Sequence, residues 1–200
     1  DHHITVFEAN DYIGGHTHTV DVTWEDTTYA VDTGFIVFNE TTYPNFVKLL
    51  NHLKVSWQPS RMSFSVKSEK TGLEYSPSSL NGLFARRRNL FQPRFYRMLL
   101  DIFRFKNAAT ALLERNGKDM ALGDYLRAEG YSKAFIDDFI IPMGAAIWSA
   151  DPEQFWGFPA RFFVRFFVNH GFLKVMNQPQ WLVIQGGSNN YVQALTRDYA

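Results

Sequence analysis

The segment that most limits what this chain can fold into is a short apolar run near its start. Ile4 to Ala9 is largely β-branched or apolar, carries the carboxylate of Glu8 near its end, and is followed six residues after Glu8 by Gly14-Gly15. Such a run reads as a strand buried on both faces, and a strand of that kind needs neighbours on either side. In open α/β sheets, ligands bind just beyond the carboxyl ends of the strands. A carboxylate at that place can accept both hydrogen bonds of a ribose diol, and a glycine pair lets the backbone come close to a pyrophosphate. The chain opens at Asp1 without an initiator Met and enters this run almost at once, so an upstream strand is expected to be missing.

Beyond the glycine pair, alternating segments at 17–24 and 28–31 flank the polar turn Glu25-Asp26 and read as a β-hairpin. Thr41 or Thr42 is placed to cap a helix carrying Phe46, Val47, Leu49, Leu50 and Leu53 and ending near Lys54. A second hairpin is expected from Met62 to Val66 and Leu73 to Tyr75 around Lys70, Thr71 and Gly72. Helices are then predicted over 80–85, 93–115, 122–128 and 133–141, with Gly117 ending the long one and Pro142 interrupting the last. A further helix over 158–169 stops at Gly171, Trp181 to Ile184 reads as a returning strand, Gly186-Gly187 as a tight turn, and 188–198 as a capped helix. Strands, a helical insertion, then a strand and helix point to an α/β nucleotide domain interrupted by a helical lobe.

Composition narrows the function classes. Twenty basic residues balance twenty acidic ones, so no long-range field recruits a polyanion and nucleic acid is not an expected partner. With no cysteine, disulfides, thiolate catalysis, zinc–thiolate sites and a cysteine-linked flavin are excluded. No apolar run reaches bilayer-spanning length and no signal-peptide pattern opens the chain, so a cytoplasmic location is expected. His16 and His18 alternate on one strand face, and with His2 and His3 they raise a metal site, but no supporting carboxylate pattern accompanies them and no metal is expected. A hydrolase finds no G-x-S-x-G elbow.

At Val6-Phe7-Glu8-Ala9 and Gly14-Gly15-His16-Thr17 the chain resembles the second flavin motif of the FAD-dependent amine-oxidase and phytoene-desaturase superfamily, and Asp32-Thr33-Gly34-Phe35-Ile36 resembles the next. The similarity continues through residues 143–149 and 158–162, and is nearest to bacterial NAD(P)/FAD-binding oxidoreductases. The resemblance implies FAD as cofactor, with Glu8 and Ala9 at the adenosine ribose, Gly14, Gly15, His16 and Thr17 near the pyrophosphate, and Gly34, Phe35 and Ile36 along the isoalloxazine. It places the segment from Gln185 to Ser188 near flavin and substrate, and Trp148, Trp181, Gly186 and Gly187 as candidates for the substrate pocket, with structural packing the commoner role for the two tryptophans. No acid or base stands out as catalytic. The family usually has Arg where this chain has His16, a weaker and pH-dependent partner for phosphate. The G-x-G-x-x-G turn expected about 20 residues before Glu8, and the family's C-terminal flavin segment, do not occur in this sequence.

The fold expected on this basis is an α/β fragment of an FAD/NAD(P)-binding Rossmann-like domain with a β-hairpin and an inserted, mainly helical substrate lobe. Its divisions fall at 1–55 for the partial FAD-binding domain, 56–180 for the lobe and 181–200 for the return. The implied activity is hydride transfer from an apolar substrate to flavin; a flavin-dependent isomerase or saturase is the variant within that class. The aromatic lobe, within a chain that is 16% aromatic, points to a hydrophobic or lipid-like substrate. Arg86-Arg87-Arg88 with Arg94, Arg97, Arg104 and Lys106 beside Phe91, Phe95, Leu99 and Phe103 reads as a core helix with snorkelling arginines, or as a peripheral membrane-binding helix without catalysis. Apolar faces left uncovered in a fragment would also favour homo-oligomers.

Overall fold

The computed structural model describes residues 5–114, 118–149, 151–172 and 179–197. In chain order these form strands β1 (Thr19–Trp24) and β2 (Thr27–Asp32), helix α1 (Pro44–Leu53), strands β3 (Trp57–Ser60), β4 (Val66–Lys67) and β5 (Glu74–Tyr75), and helices α2 (Leu80–Leu83) and α3 (Pro93–Glu114). Then come α4 (Leu122–Ala128), α5 (Lys133–Phe135), a π-helical turn Ile136–Ile140, α6 (Ile141–Trp148), α7 (Ala160–Asn169), strand β6 (Trp181–Ile184) and α8 (Asn189–Thr196), with 3-10 turns at Arg87–Phe91 and Pro152–Gly157. The fold is therefore mixed α and β. The chain divides into two compact units, Asp1–Met62 with Pro179–Ala200, and Ser63–Gln178.

In the first unit, β1 and β2 pair antiparallel from Thr19↔Asp32 to Trp24↔Thr27. Glu25 and Asp26 both hold positive φ, 46° and 61°, the conformation that a two-residue hairpin turn needs to match strand twist. Helix α1 starts at Pro44, whose fixed φ suits the first turn; neither Thr41 nor Thr42 caps it, since the residue at the cap is Tyr43 and no side-chain bond is made there. Strand β6 lies between β3, which it pairs along Trp57↔Ile184 to Ser60↔Trp181, and Phe38, which exchanges both backbone bonds with Leu182. Phe38, Leu50, Leu182 and Ile184 form the core, with Phe46 set edge-to-face against Phe35, Phe38 and Tyr191 at 5.1 to 5.3 Å.

Two further sequence expectations fail in this unit. Residues 5–9 form no strand: they are exposed, Phe7 by 91%, because no described strand offers them an edge, and an unpaired extended segment has nowhere to place its backbone bonds. Ile4 lies outside the described residues. Ser188 was expected to cap α8; it stands at the cap position, but its side chain makes no capping bond and is used elsewhere.

The second unit packs α3, α4, α6 and α7 around buried aromatics, among them Phe105, Phe135, Phe163 and Phe167. The small β4–β5 hairpin is a two-residue pairing, Val66↔Tyr75 and Lys67↔Glu74, shorter than its sequence proposed. Pro142 was expected to stop the helix over 133–141; instead the helix continues through the π turn into α6. Proline cannot donate to the carbonyl four residues back. That carbonyl belongs to Asp138, and the hydroxyl of Tyr75 donates to it at 2.8 Å. Burial, and then the Asp138 charge, pushes the Tyr75 phenol well above its ordinary pKa, so it keeps its proton as a donor. Tyr75→Phe is expected to cost about 1–2 kcal/mol in denaturant unfolding, and equal stability would show that the carbonyl finds another donor. The long helix was expected to run to Arg115 and end at Gly117; its described part closes at Glu114, and Arg115 and Gly117 fall outside the described residues, as do Asp198 at the far end of the last helix and His2 and His3.

Candidate functional site

Three separated stretches of the first unit meet at Asp32. Its carboxylate accepts the Thr19 hydroxyl at 2.6 Å, the Ser188 amide at 2.8 and 3.1 Å, and the Ser188 hydroxyl at 2.8 Å. Thr19 in turn accepts the Asn189 amide at 2.9 Å, so a relay runs from the start of α8 through Thr19 to one carboxylate oxygen. The Ser188 hydroxyl also lies 3.1 Å from the Phe35 carbonyl. Bonds to an ionised acceptor are the stronger class and polarise the hydroxyls in line behind them. Asp32 thus ties the hairpin to the tight turn after β6.

The Gly14–Thr17 turn is held against the same junction. Thr17 donates its amide to the Gly14 carbonyl at 2.9 Å, its buried side-chain hydroxyl bonds that of Tyr191, and the His16 carbonyl accepts the Phe35 amide at 3.1 Å. Gly34 has no room for a side chain: a Cβ there would stand 1.5 Å from the His16 carbonyl oxygen. Gly15 is the opposite case. Its φ is +58°, and a Cβ there would meet nothing within 4 Å, so the backbone at this point faces open space. Asp11, Tyr12 and Ile13 on one side of the glycine pair, and Thr17, His18 and Thr19 on the other, line a cleft of about 410 Å³ that Asn189 completes. The rings of Tyr12 and His18, both in its lining, lie 4.9 Å apart.

Glu8 stands on the exposed lead-in. Its Oε1 accepts the Ala9 amide at 2.8 Å, the Asn10 amide at 2.9 Å and the Asn10 side-chain amide at 3.1 Å, and none of these bonds uses Oε2. The Asn10 and Ala9 amides hold its carboxyl below the ordinary value of 4.5. The turn is accordingly intact above pH 4.5 and opens as pH falls through the lowered value. A carboxyl resonance of Glu8 titrating with its midpoint below 4.5 is expected; a midpoint at or above 4.5 would remove the turn.

Of the residues singled out in the sequence, the structure gathers Gly14 to Thr17, Gly34, Phe35 and Gly187, the last packed against Thr19 and Ala30. Gly186 continues the same turn with φ +75°. Phe35 turns its ring into the core and Ile36 is half-exposed. No hydrogen bond joins Glu8 or Ala9 to the junction among the described residues. Trp181 is buried in β6. Trp148 belongs to the other unit, where it packs on Phe158, Phe163 and Phe166 at 4.6 to 5.7 Å.

Sequence reading placed Asp32 only as the first residue of the 32–36 motif and Ser188 only as a helix cap and the end of the 185–188 segment, and it assigned no role to Thr19, Tyr191 or Asn39. Asn39 is fully buried at the entry to α1; its side-chain oxygen accepts the Thr42 amide at 2.9 Å, while its Nδ2 has no partner among the described residues. A buried donor left unpaired is costly and calls for a ligand or a water.

A model of the flavin-containing amine oxidoreductases matches residues 2–198. The chain belongs to that family. No curated protein matches the chain significantly. The chemistry of the amine oxidoreductases is flavin-dependent oxidoreduction, and the Asp32 junction draws together three of the segments by which the sequence resembles them.

Proposed function

We propose that this protein is an FAD-dependent oxidoreductase that removes hydride from an apolar substrate, and that its first unit is the ribose- and pyrophosphate-facing part of a Rossmann-like flavin domain. The observation that carries this reading is the junction of Gly14–Thr17, Asp32–Phe35 and Gly187–Ser188 beside a polar cleft. The residues present fit such a cofactor in two respects. Gly15 exposes backbone to open space where a phosphate can approach, and Oε2 of Glu8 makes no hydrogen bond among the described residues.

When bound, FAD supplies the redox step by accepting hydride at its ring. The protein's own part is placement. Glu8 offers Oε2 to the ribose hydroxyls while Oε1 keeps the Ala9–Asn10 turn closed. Gly14 and Gly15 would bring the backbone to the pyrophosphate, with His16 beside it. Gly34 to Ile36 would border the isoalloxazine, with Phe35 held in position by Ser188 of the Asp32 network. The helical unit, Ser63–Gln178, is the substrate lobe.

The test is FAD titration followed by flavin fluorescence. Glu8→Ala is expected to weaken binding about tenfold, the loss of one charge-assisted bond pair, with the fold unchanged. Anaerobic addition of apolar amines or long-chain unsaturated lipids should then bleach the bound flavin. Undiminished affinity in Glu8→Ala would take the ribose role from this residue, and turnover without bleaching would replace the oxidase by an isomerase.

A further inference from the structure

The helical unit carries a surface that none of the flavin chemistry uses. Leu90, Phe91, Pro93, Tyr96 and Leu100 line a shallow groove of about 520 Å³ between the 3-10 turn Arg87–Phe91 and the first half of α3. Phe91 is 84% exposed and Leu100 64%. Along α3, Tyr96, Leu100 and Phe103 recur at the spacing of one helix face, and all three are exposed. The opposite face, with Phe95, Met98, Phe105, Ala109 and Leu112, makes the core. The helix is therefore apolar on two sides, and the core accounts for only one. The groove is held in shape by the Tyr96 hydroxyl, which donates to the Leu90 carbonyl at 2.9 Å.

Charge decides what fits there. Residues 86–106 hold six arginines and one lysine against a single acid, Asp101. Asp101 is buried and spent within the unit, on Arg97 at 3.5 Å, Arg104 at 3.0 Å and the Ser132 amide at 2.9 Å. Arg94 is likewise committed to Asp138 at 2.8 Å, and Arg104 also lies over the Tyr131 ring. Arg87 bonds only neutral oxygens, of Asn81 and Phe84, and Arg88 is exposed with no acidic partner among the described residues. The patch thus presents protruding Phe and Leu side chains beside two cations, Arg87 and Arg88, that no carboxylate among the described residues neutralises.

We propose that this face docks on the surface of an anionic lipid bilayer, with Leu90, Phe91 and Leu100 entering the acyl boundary and Arg87 and Arg88 on the headgroup phosphates. A bilayer of that composition offers both things the patch lacks, a hydrocarbon layer and a dense array of anions. Apolar insertion and basic attraction together give interfacial binding that neither gives alone. Among the described residues no helix is long and apolar enough to cross a membrane, so the contact is one of lying on the surface. The inference is independent of the flavin reading.

Flotation with vesicles tests it. The protein should rise with vesicles of phosphatidylcholine containing phosphatidylglycerol and stay behind with phosphatidylcholine alone. Phe91→Asp and Leu100→Asp should each lower the bound fraction about tenfold, and Arg87→Ala with Arg88→Ala should reduce it and weaken its dependence on salt. Both apolar side chains are largely exposed, so thermal melting should be unchanged and a loss of binding reads the surface rather than the fold. No flotation with the anionic vesicles, or flotation that Phe91→Asp leaves intact, overturns the proposal. So does a lipid-free dimer that Phe91→Asp abolishes, which would give the face to a second copy of the chain.

Discussion

Gly34→Ala is expected to lower the stability of the first unit by about 3 kcal/mol or more. The added Cβ falls 1.5 Å from the His16 carbonyl oxygen, which is backbone and has no rotamer to escape into. The two segments must part, and the Phe35 amide loses its bond to His16. Amide exchange localises the effect: Phe35, bonded to His16, and Thr33, bonded to His18 at 2.9 Å, should exchange much faster than in the parent protein. FAD affinity should fall with it, because the turn that carries Gly15 is anchored through His16. An alanine variant of parent stability and unchanged exchange at Phe35 would mean that the strands meet differently.

Asp32→Ala is expected to cost a similar amount, about 3 kcal/mol. The change leaves the Ser188 amide and hydroxyl and the Thr19 hydroxyl, all at least partly buried, without their charged acceptor. Asp32→Asn should fall between, since the amide keeps one acceptor oxygen and sets an N–H against donors. Denaturant unfolding of both variants checks the order, and a cost below about 1 kcal/mol for Asp32→Ala would show that the junction does not depend on the carboxylate.

Much of this was legible from short-range pattern. The β1–β2 hairpin follows from alternation around Glu25-Asp26, α4 from its helical spacing, and β6 from an apolar run closed by glycines. Three of the failures share a cause: the missing information was a partner distant in sequence. Residues 5–9 look like a strand, but a strand exists only beside another. Ser188 has the identity and place of a helix cap, yet Asp32, 156 residues away, competes for its hydroxyl and takes it. Pro142 reads as a helix stop until Tyr75 supplies the donor it lacks. Asp32 itself was visible inside Asp32-Thr33-Gly34, but its role required knowing that the turn after β6 returns to it. The glycines were easier, because Gly14-Gly15 and Gly186-Gly187 declare unusual backbone directly, and φ is positive at all four.

The measurement closest to the centre of this reading is an amide-resolved NMR titration of the protein with FAD. Shifts confined to Glu8–Asn10, Gly14–Thr17 and Gly34–Ile36, saturating together and reduced in Asp32→Ala, are the expected result. Saturating FAD that leaves these amides unmoved, or that moves only residues of the helical unit, would contradict it.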